Sequence, residues 1–397
     1  MSREMKHSGI EWIGEIPKEW KVNKIGNLYE VRNEKVSDKD YPPLSVTMNG
    51  IVPQLETAAK TSNGDDRKLV CKGDFAINSR SDRRGSCGVS QYDGSVSLIN
   101  TILKPRSSMN SQFYNWLFHT ELFADEFYKW GHGIVDDLWT TRWQEMKNIS
   151  IVFPSLSEQQ KIANYLDKVC GEVDEMISLQ EQMIEELKAY KQSVITEAVT
   201  KGLNPNVPMK DSGIDWIGEV PEHWEVAKLK YYIKVDSGDA ITNEHLEVTG
   251  LYPVYGGGEI MGYYSSYNTD DEALIVGRVG ARCGCVTLTE GKSWATDNAL
   301  IVKTDWLLKY VFYLLQGVNL NRLNTSNAQP LITATKIKNV YVPILELDEQ
   351  QSIASYLDTK CSEIDALIAI KQAKIEELKE YKKSVIYEYV TGKKEIA

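Results

Sequence analysis

Two arginine clusters are the most chemically suggestive stretches of this chain of 397 residues. Arg80-Ser-Asp-Arg83-Arg84-Gly follows a strand-like run, Gly73-Asp-Phe-Ala-Ile-Asn78, and Arg278-Val-Gly-Ala-Arg282-Cys-Gly follows another, Glu272 to Val276. A guanidinium fork matches a phosphate or a guanine edge with paired hydrogen bonds, and glycine lets the backbone approach a duplex. A solvated turn would read the same way taken singly, but the same placement in two dissimilar regions favours nucleic acid. A second polar cluster comes later in each region: Trp139-Thr-Thr-Arg142-Trp-Gln144, and Asn324-Thr-Ser-Asn327-Ala-Gln329-Pro-Leu. Amide side chains pair with adenine edges. The candidate contacts are therefore Arg80, Arg83, Arg84, Arg278 and Arg282, followed by Arg142, Asn327, Gln329 and Lys336.

Nothing comparable points to catalysis. The chain has no Gly-x-x-x-x-Gly-Lys-Ser/Thr phosphate loop, no Gly-x-Gly-x-x-Gly after a strand, and no Asp/Asn-Pro-Pro-Tyr/Phe. Gly256-Gly-Gly258 reads as a turn. Cys87, His119 and His132 have no local motif joining them into a nucleophilic site. The cysteines at 71, 87, 170, 283, 285 and 361 are scattered, and Cys283-Gly-Cys285 is tighter than Cys-x-x-Cys, so reduced thiols and no metal are expected. A net charge of −11 argues against a generic polyanion binder. It is unevenly spread: residues 1–154 carry 20 basic and 20 acidic groups, whereas 206–343 carry 12 and 16. No apolar run approaches the roughly 18 residues of a membrane helix, and the start, Met1-Ser-Arg-Glu-Met-Lys-His, lacks the apolar core of a signal peptide. A cytoplasmic chain without a membrane partner is expected.

The elements that must position these clusters come as repeats. Glu158 to Thr200 returns 191 positions later as Glu349 to Thr391, with 25 of 43 residues identical. Both copies are proline-free and rich in Glu, Lys, Leu and Ala, which predicts helices of roughly 65 Å. Ile162, Leu166, Val169, Val173, Met176, Gln180, Met183, Leu187, Tyr190 and Val194 form a heptad seam in the first copy. Leu357, Cys361, Ile364, Ile368, Lys371, Ile375 and Leu378 form the better stripe in the second. Such a helix cannot bury its seam alone, and its repeat is the economical partner. Ser157 and Asp348 are the predicted N-caps.

A second repeat precedes each helix. Ser8-Gly-Ile-Glu-Trp-Ile-Gly-Glu-Ile-Pro-Lys-Glu-Trp20 recurs as Ser212-Gly-Ile-Asp-Trp-Ile-Gly-Glu-Val-Pro-Glu-His-Trp224, nine of 13 residues matching at an offset of 204. The Trp12/Trp20 and Trp216/Trp224 pairs read as plugs for the same packing site in each half. The first half is 13 residues longer between motif and helix. The fold class is α+β: two globular domains, 1–154 and 206–343, separated by two long antiparallel helices, 155–205 and 344–397, as a pseudo-two-fold internal repeat with a coiled coil. Because the order is circular, the two ends of the pattern are expected close together.

Twin regions ending in Pro154 to Asp167 (Pro-x-x-x-Glu-Gln-Gln-x-Ile-Ala-x-Tyr-Leu-Asp) and Pro343 to Asp358, with Gly-Ile-Glu/Asp-Trp-Ile-Gly-Glu-x-Pro at Gly9 and Gly213, resemble the specificity subunit of type I restriction–modification systems. The likeness covers essentially the whole chain; two more residues between Pro343 and its Glu-Gln-Gln are the local departure. The resemblance implies two target-recognition domains that each read half of a split double-stranded DNA site. It also implies paired helices that set the gap and dock two modification (methyltransferase) subunits, with restriction subunits where the system has them. It implies no catalysis and no cofactor in this chain, S-adenosylmethionine belonging to the methyltransferase. The overall acidity implies DNA affinity concentrated in loops. The rival readings are a DNA-free scaffold with two protein-binding domains, and an enzyme with an unfamiliar site.

Overall fold

The computed structural model describes residues 3–54, 64–106, 109–133, 139–324 and 330–396. The chain divides into two compact units, Met1–Leu179 with Lys374–Ala397, and Gln180–Ala373. Each unit holds one variable region and part of both long helices.

The first unit opens with β1 (Met5–His7), β2 (Glu15–Pro17), β3 (Lys21–Lys24), α1 (Ile25–Leu28), β4 (Tyr29–Arg32) and β5 (Lys35–Val36). It continues with β6 (Leu44–Thr47), β7 (Gly50–Pro53), β8 (Arg67–Val70), β9 (Phe75–Asn78), β10 (Cys87–Val89), β11 (Gly94–Val96) and β12 (Asn100–Pro105). Helices α2 (Ser111–Phe118), α3 (Glu121–Lys129) and α4 (Trp143–Met146) follow, then β13 (Ser150–Phe153) and the long α5 (Leu156–Lys201). The second unit contributes β14 (Met209–Asp211), β15 (Glu219–Pro221), β16 (Glu225–Lys228), β17 (Ile233–Ser237), β18 (Tyr252–Gly256) and β19 (Glu259–Tyr264). Next come β20 (Leu274–Gly277), β21 (Val286–Leu288), β22 (Trp294–Ala295), β23 (Ala299–Thr304), α6 (Leu308–Val318), α7 (Ala334–Lys338), β24 (Tyr341–Ile344) and the long α8 (Leu347–Val390).

Both units are built on the same antiparallel sheet, β10-β9-β12-β4 in one and β21-β20-β23-β17 in the other. Side chains alternate across a strand, and here both faces are buried. Phe75, Ile77 and Leu103 enter one core, whereas Ala76 and Ile102 enter another with Val70 and Val96. Leu274, Val276, Leu300 and Val302 are divided in the same way from Ile275, Ala299 and Ile301. Two-sided burial explains why these strands read as continuous apolar runs rather than alternating ones.

The repeated Glu-Gln-Gln and Tyr-Leu-Asp motifs are joints. Gln159 is fully buried; its amide donates to the Pro154 carbonyl at 2.9 Å and its oxygen accepts from the Asn110 N–H at 2.8 Å, just ahead of α2. Gln350 does the same with the Leu345 carbonyl at 3.0 Å and the Leu307 N–H at 3.1 Å, ahead of α6. Asp167 accepts from Gln112 and Trp116 of α2, and Asp358 from Lys309 and Tyr313 of α6. The helices begin two residues earlier than the predicted caps require. Ser157 and Asp348 lie in the first turn, and the Glu158 N–H bonds the Ser155 hydroxyl at 3.3 Å.

The stripe expected on α8 is the inward one: Leu357, Cys361, Ile364, Ile375 and Leu378 are buried. On α5 the expected seam is half wrong. Met176, Met183 and Tyr190 are 51%, 41% and 58% exposed, while Cys170 and Ile184 are buried and Ile177 is half-buried. Both choices satisfy steps of three and four, but the 191-residue offset maps the α8 stripe onto Leu166, Cys170, Val173, Ile177 and Ile184. In the first unit Lys382 of α8 meets Asp174 of α5 at 2.6 Å, and the Tyr165 and Tyr389 rings lie 4.5 Å apart, so the helices run in opposite directions where they touch. Lys191 meets Asp365 at 2.7 Å in the second unit.

Each Trp motif packs on the segment that ends a long helix. Trp20 and Trp224 are buried, and Gly392 and Gly202 turn beneath them at φ +72° and +73°, where only glycine is comfortable. Lys393 donates to the Ile13 and Glu15 carbonyls at 2.9 and 3.0 Å, so the opening motif does lie against the segment after α8. Trp12 and Trp216 are only half-buried, so only the second tryptophan of each motif is a true plug.

Replacing Gln159 or Gln350 by leucine strands one backbone N–H and one carbonyl. Each change is expected to destabilise its unit by about 1–3 kcal/mol, read from the urea midpoint of the full chain.

Candidate nucleic-acid interface

Each arginine cluster caps a hairpin of the main sheet. The chain leaves β9 at Asn78, makes a 3-10 turn at Ser81–Arg83 and returns at Cys87; it leaves β20 at Gly277, turns at Gly280–Arg282 and returns at Val286. The bonds coincide. Asn78 N–H donates to Ser86 O and Gly277 N–H to Cys285 O, both at 2.9 Å; Ser86 N–H donates to Arg83 O and Cys285 N–H to Arg282 O, both at 3.0 Å. By this pattern Arg83 and Arg282 are equivalent. Arg80 falls opposite Val279, Arg278 opposite Ser79, and Arg84 opposite Cys283, so the clusters share a place but only one arginine position.

Two more loops flank each hairpin. The segment before the closing strand bridges to it, Arg80 with Thr140 and Val279 with Leu331, and the Thr141 and Ile332 N–H groups donate to Ser79 O and Arg278 O at 2.9 Å. In the first unit this sets Thr140 and Thr141 of the second cluster beside the arginine turn, and in the second unit Leu331, at the end of its cluster, stands beside Val279. The third loop is a hairpin tip. In the first unit a Cβ on Gly88 would stand 2.8 Å from Gly50 Cα, and one on Gly85 4.0 Å from Met48 Cε. In the second unit a Cβ on Gly257 would stand 3.8 Å from Arg282 Cβ, and Gly256–Gly258 is the expected turn. Met48 is 69% exposed at its tip, beside exposed Asn49. This tip was missed from sequence, although Asn49-Gly50 between apolar runs is a strong hairpin signal.

The individual candidates differ in setting. Arg80, Arg83, Arg84, Arg142 and Arg282 are exposed. Arg83 lies 3.7 Å from Asp82; Arg84 pairs with Asp125 of α3, and Arg282 with Glu259. Arg278 is half-buried, with its main chain engaged by Asn298 and Ile332 and its Nη1 reaching Asp297 O at 3.5 Å. Arg142 is the first residue before α4, where Thr333 stands before α7 and caps the Lys336 N–H. The Lys336 ammonium donates to Leu323 O at 2.9 Å and Leu331 O at 3.5 Å, fastening the main chain on both sides of the second cluster. Asn327 and Gln329 lie outside the described residues.

The extra length of the first half is also placed. The offset falls from 204 at the Trp motif to 199 at the hairpin and 191 at Thr141/Ile332, so most of it lies between hairpin and closing segment. There the first unit has α3, whose Phe123 ring meets Trp12 edge-on at 6.1 Å. The second unit has a 3-10 turn, Leu320–Leu323, whose Arg322 covers Trp216 at 5.1 Å.

A duplicated sheet that presents related loops twice gives the chain two similar but non-identical loop surfaces. The family model described as type I restriction modification DNA specificity domain matches residues 17–189 and 221–380, and the chain belongs to that family. A putative type I restriction enzyme specificity subunit, MjaX of Methanocaldococcus jannaschii, is 24% identical across 96% of this chain and 95% of its own length. The MjaVIII specificity subunit of the same organism is 26% identical across 62% of each chain. A solved chain from work on complex assembly and conformational transition of the type I R-M system shares the fold at a TM-score of 0.72 and 14% identity, over 94% of this chain and 98% of that one. The protein is a type I restriction–modification specificity subunit, and its function is recognition of a DNA target; the scaffold reading finds no support. Among the described residues no helix is long and apolar enough to cross a membrane, and no cluster of three His, Cys, Asp or Glu could hold a metal.

The structure does bring Cys87 and His119 together, with Sγ 3.8 Å from Nε2, but in a setting that opposes a nucleophile. Burial raises the Cys87 thiol and lowers the His119 imidazole, so both stay neutral rather than forming a thiolate–imidazolium pair. Burial likewise pushes Cys170 up to about 11 from 9.0. Alkylation of the native chain is expected at half-buried Cys71 and Cys285 first, with Cys87 and Cys170 labelled only on unfolding. As pH rises from 9 to 11 the unfolded chain releases the Cys170 proton that the folded chain keeps, so stability should fall across that window, and less so in Cys170→Ala.

Proposed function

We propose that residues 1–154 and 206–343 are target-recognition domains, each reading one half of a split duplex target from the major groove. Residues 155–205 and 344–397 are the spacer, α5 and α8 pairing along their length as an antiparallel coiled coil with pseudo-two-fold symmetry. The observation that carries this reading is the position of Arg83 and Arg282: one exposed arginine at the same point of two hairpins that share their framing bonds, among neighbours that differ. A shared arginine suits a contact both halves make, and differing neighbours (Arg80 against Val279, Arg142 against Thr333) suit two different sequences. Arg84, Arg278, Asn327 and Gln329 complete the proposed surfaces, and Lys336 holds its loop in place. Half-sites about one duplex turn or more apart are the geometric expectation.

The frame supports a repeated partner. Met176 and Leu179 on α5 are 51% and 48% exposed, and their equivalents Leu367 and Ile370 on α8 are 47% and 63% exposed; Tyr190 and Tyr381 repeat the pattern at 58% and 52%. Large apolar side chains left in water at equivalent positions mark a protein-binding surface used twice. We assign them to two methyltransferase subunits, which would carry S-adenosylmethionine and the chemistry; restriction subunits would join where the system has them. A non-catalytic role for this chain is supported by its family and by the neutral, buried setting of its Cys–His contact.

Arg83→Ala and Arg282→Ala are each expected to weaken target binding by about 1–3 kcal/mol and to relax different half-sites. Affinities for single-base variants of the target check this, and two parent-like variants would remove the hairpins from the interface. Met176→Asp with Leu367→Asp should abolish co-elution with the methyltransferase subunit while leaving the melting profile unchanged.

A further inference from the structure

In each unit a hairpin arginine is paired with a carboxylate from another element. Arg84 pairs with Asp125 on α3, and Arg282 pairs with Glu259 at the start of β19. The carboxylates come from unrelated elements, and the arginines are not position equivalents, since Arg84 lies opposite Cys283. The same restraint has therefore been built twice by different means. All four side chains are about half exposed: 52% and 56% for the first pair, 49% and 60% for the second. No buried charge needs compensating, so stability does not account for them.

We propose that Asp125 and Glu259 are specificity-determining residues that hold Arg84 and Arg282 back from non-target duplex. The proposal rests on the hairpins being the DNA-contacting loops. A guanidinium has five N–H donors, so one edge can serve a neutral guanine while another keeps its carboxylate. A phosphate offers a full negative charge instead. To bind it the arginine must either leave the carboxylate, exchanging one anion for another at little gain, or hold two anions side by side against their repulsion. The carboxylate thus taxes backbone contact more than base contact. The chain's net charge of −11 acts in the same direction, since sequence-independent DNA affinity is almost wholly electrostatic.

The test uses the full chain assembled with its methyltransferase subunits. A duplex is enriched from a randomised pool, and affinities for it and for a scrambled duplex of equal length are measured over a salt series. Asp125→Asn and Glu259→Gln are each expected to tighten the scrambled duplex about two- to fivefold, the worth of an exposed ion pair, and the selected duplex less, so that the ratio of affinities falls. The salt dependence for scrambled DNA should steepen by up to about one counter-ion per variant. Arg84→Ala and Arg282→Ala should weaken the selected duplex. Arginine variants that weaken binding beside carboxylate variants that leave the ratio unchanged, or raise it, would overturn the restraint and leave the interface standing. Arginine variants that bind like the parent, or a pool from which nothing is enriched, would overturn the hairpin interface and the restraint with it. Should an amide substitution lower the melting temperature, Asp125→Ser and Glu259→Ala are read by the same ratio.

Discussion

A buried glutamine at the head of each long helix is the contact on which the rest of the architecture depends. Gln159 and Gln350 tie the first turn of α5 and α8 to the end of the preceding strand and to the start of the apolar helix α2 or α6. Both side chains bond backbone groups on two sides in a dry setting, where an unmade hydrogen bond is costly. About two turns further on, Asp167 and Asp358 grip the same apolar helices by side-chain contacts. A helix held at two successive points cannot swivel against its domain. For the proposed spacer role such a firm attachment matters, since an angular error at the root is multiplied along a long helix.

That stiffness was legible in the sequence as repetition, though not as chemistry. The Glu-Gln-Gln and Tyr-Leu-Asp identities announced a common element and its ends, but a mid-motif glutamine on a helix looks like solvated surface until its partners are known. The inward stripe of α8 was readable because lysines broke its rival seam. On α5 two seams compete, Met176 and Met183 against Ile177 and Ile184, and spacing alone cannot separate them. The repeat could have, because helices built to one plan bury the same positions. The caps were misplaced by two residues for an ordinary reason: Ser155 and Ser157 both suit a helix start, and the hydrogen bond formed by Ser155 decides.

The proposed recognition surface was legible in part. Arginine clusters after comparable strands were visible, and both do cap the same hairpin. Their register was not, because Arg80 and Arg278 look alike in a string and only the cross-strand bonds show that they occupy different positions. The β6–β7 arm was missed although Asn49-Gly50 marks its tip, and the β18–β19 turn was expected at Gly256–Gly258 but not as a neighbour of Arg282. Loops of one region that lie far apart in the chain converge because the sheet order brings their strands to one end, and single-sequence reading has no access to strand order.

The contrast between frame and loops has a physical origin. Positions that bond main chain, such as Gln159 and Gln350, or fill a fixed space, such as Trp20 and Trp224, tolerate almost no alternative, so both copies retain them. Positions whose partner lies outside the chain are judged by that partner alone. Met176, Leu179, Leu367 and Ile370 stay apolar and exposed in both copies, as the proposed repeated partner would require. The hairpin residues around Arg83 and Arg282 differ between the halves, as the proposed reading of two different sequences would require. The carboxylates differ in the same way: Asp125 lies on α3 and Glu259 at the start of β19, and each pairs with an arginine in its own place. Where the two halves agree and where they part is therefore decided by what each residue touches, and the chain's internal repeat records its contacts more faithfully than its composition does.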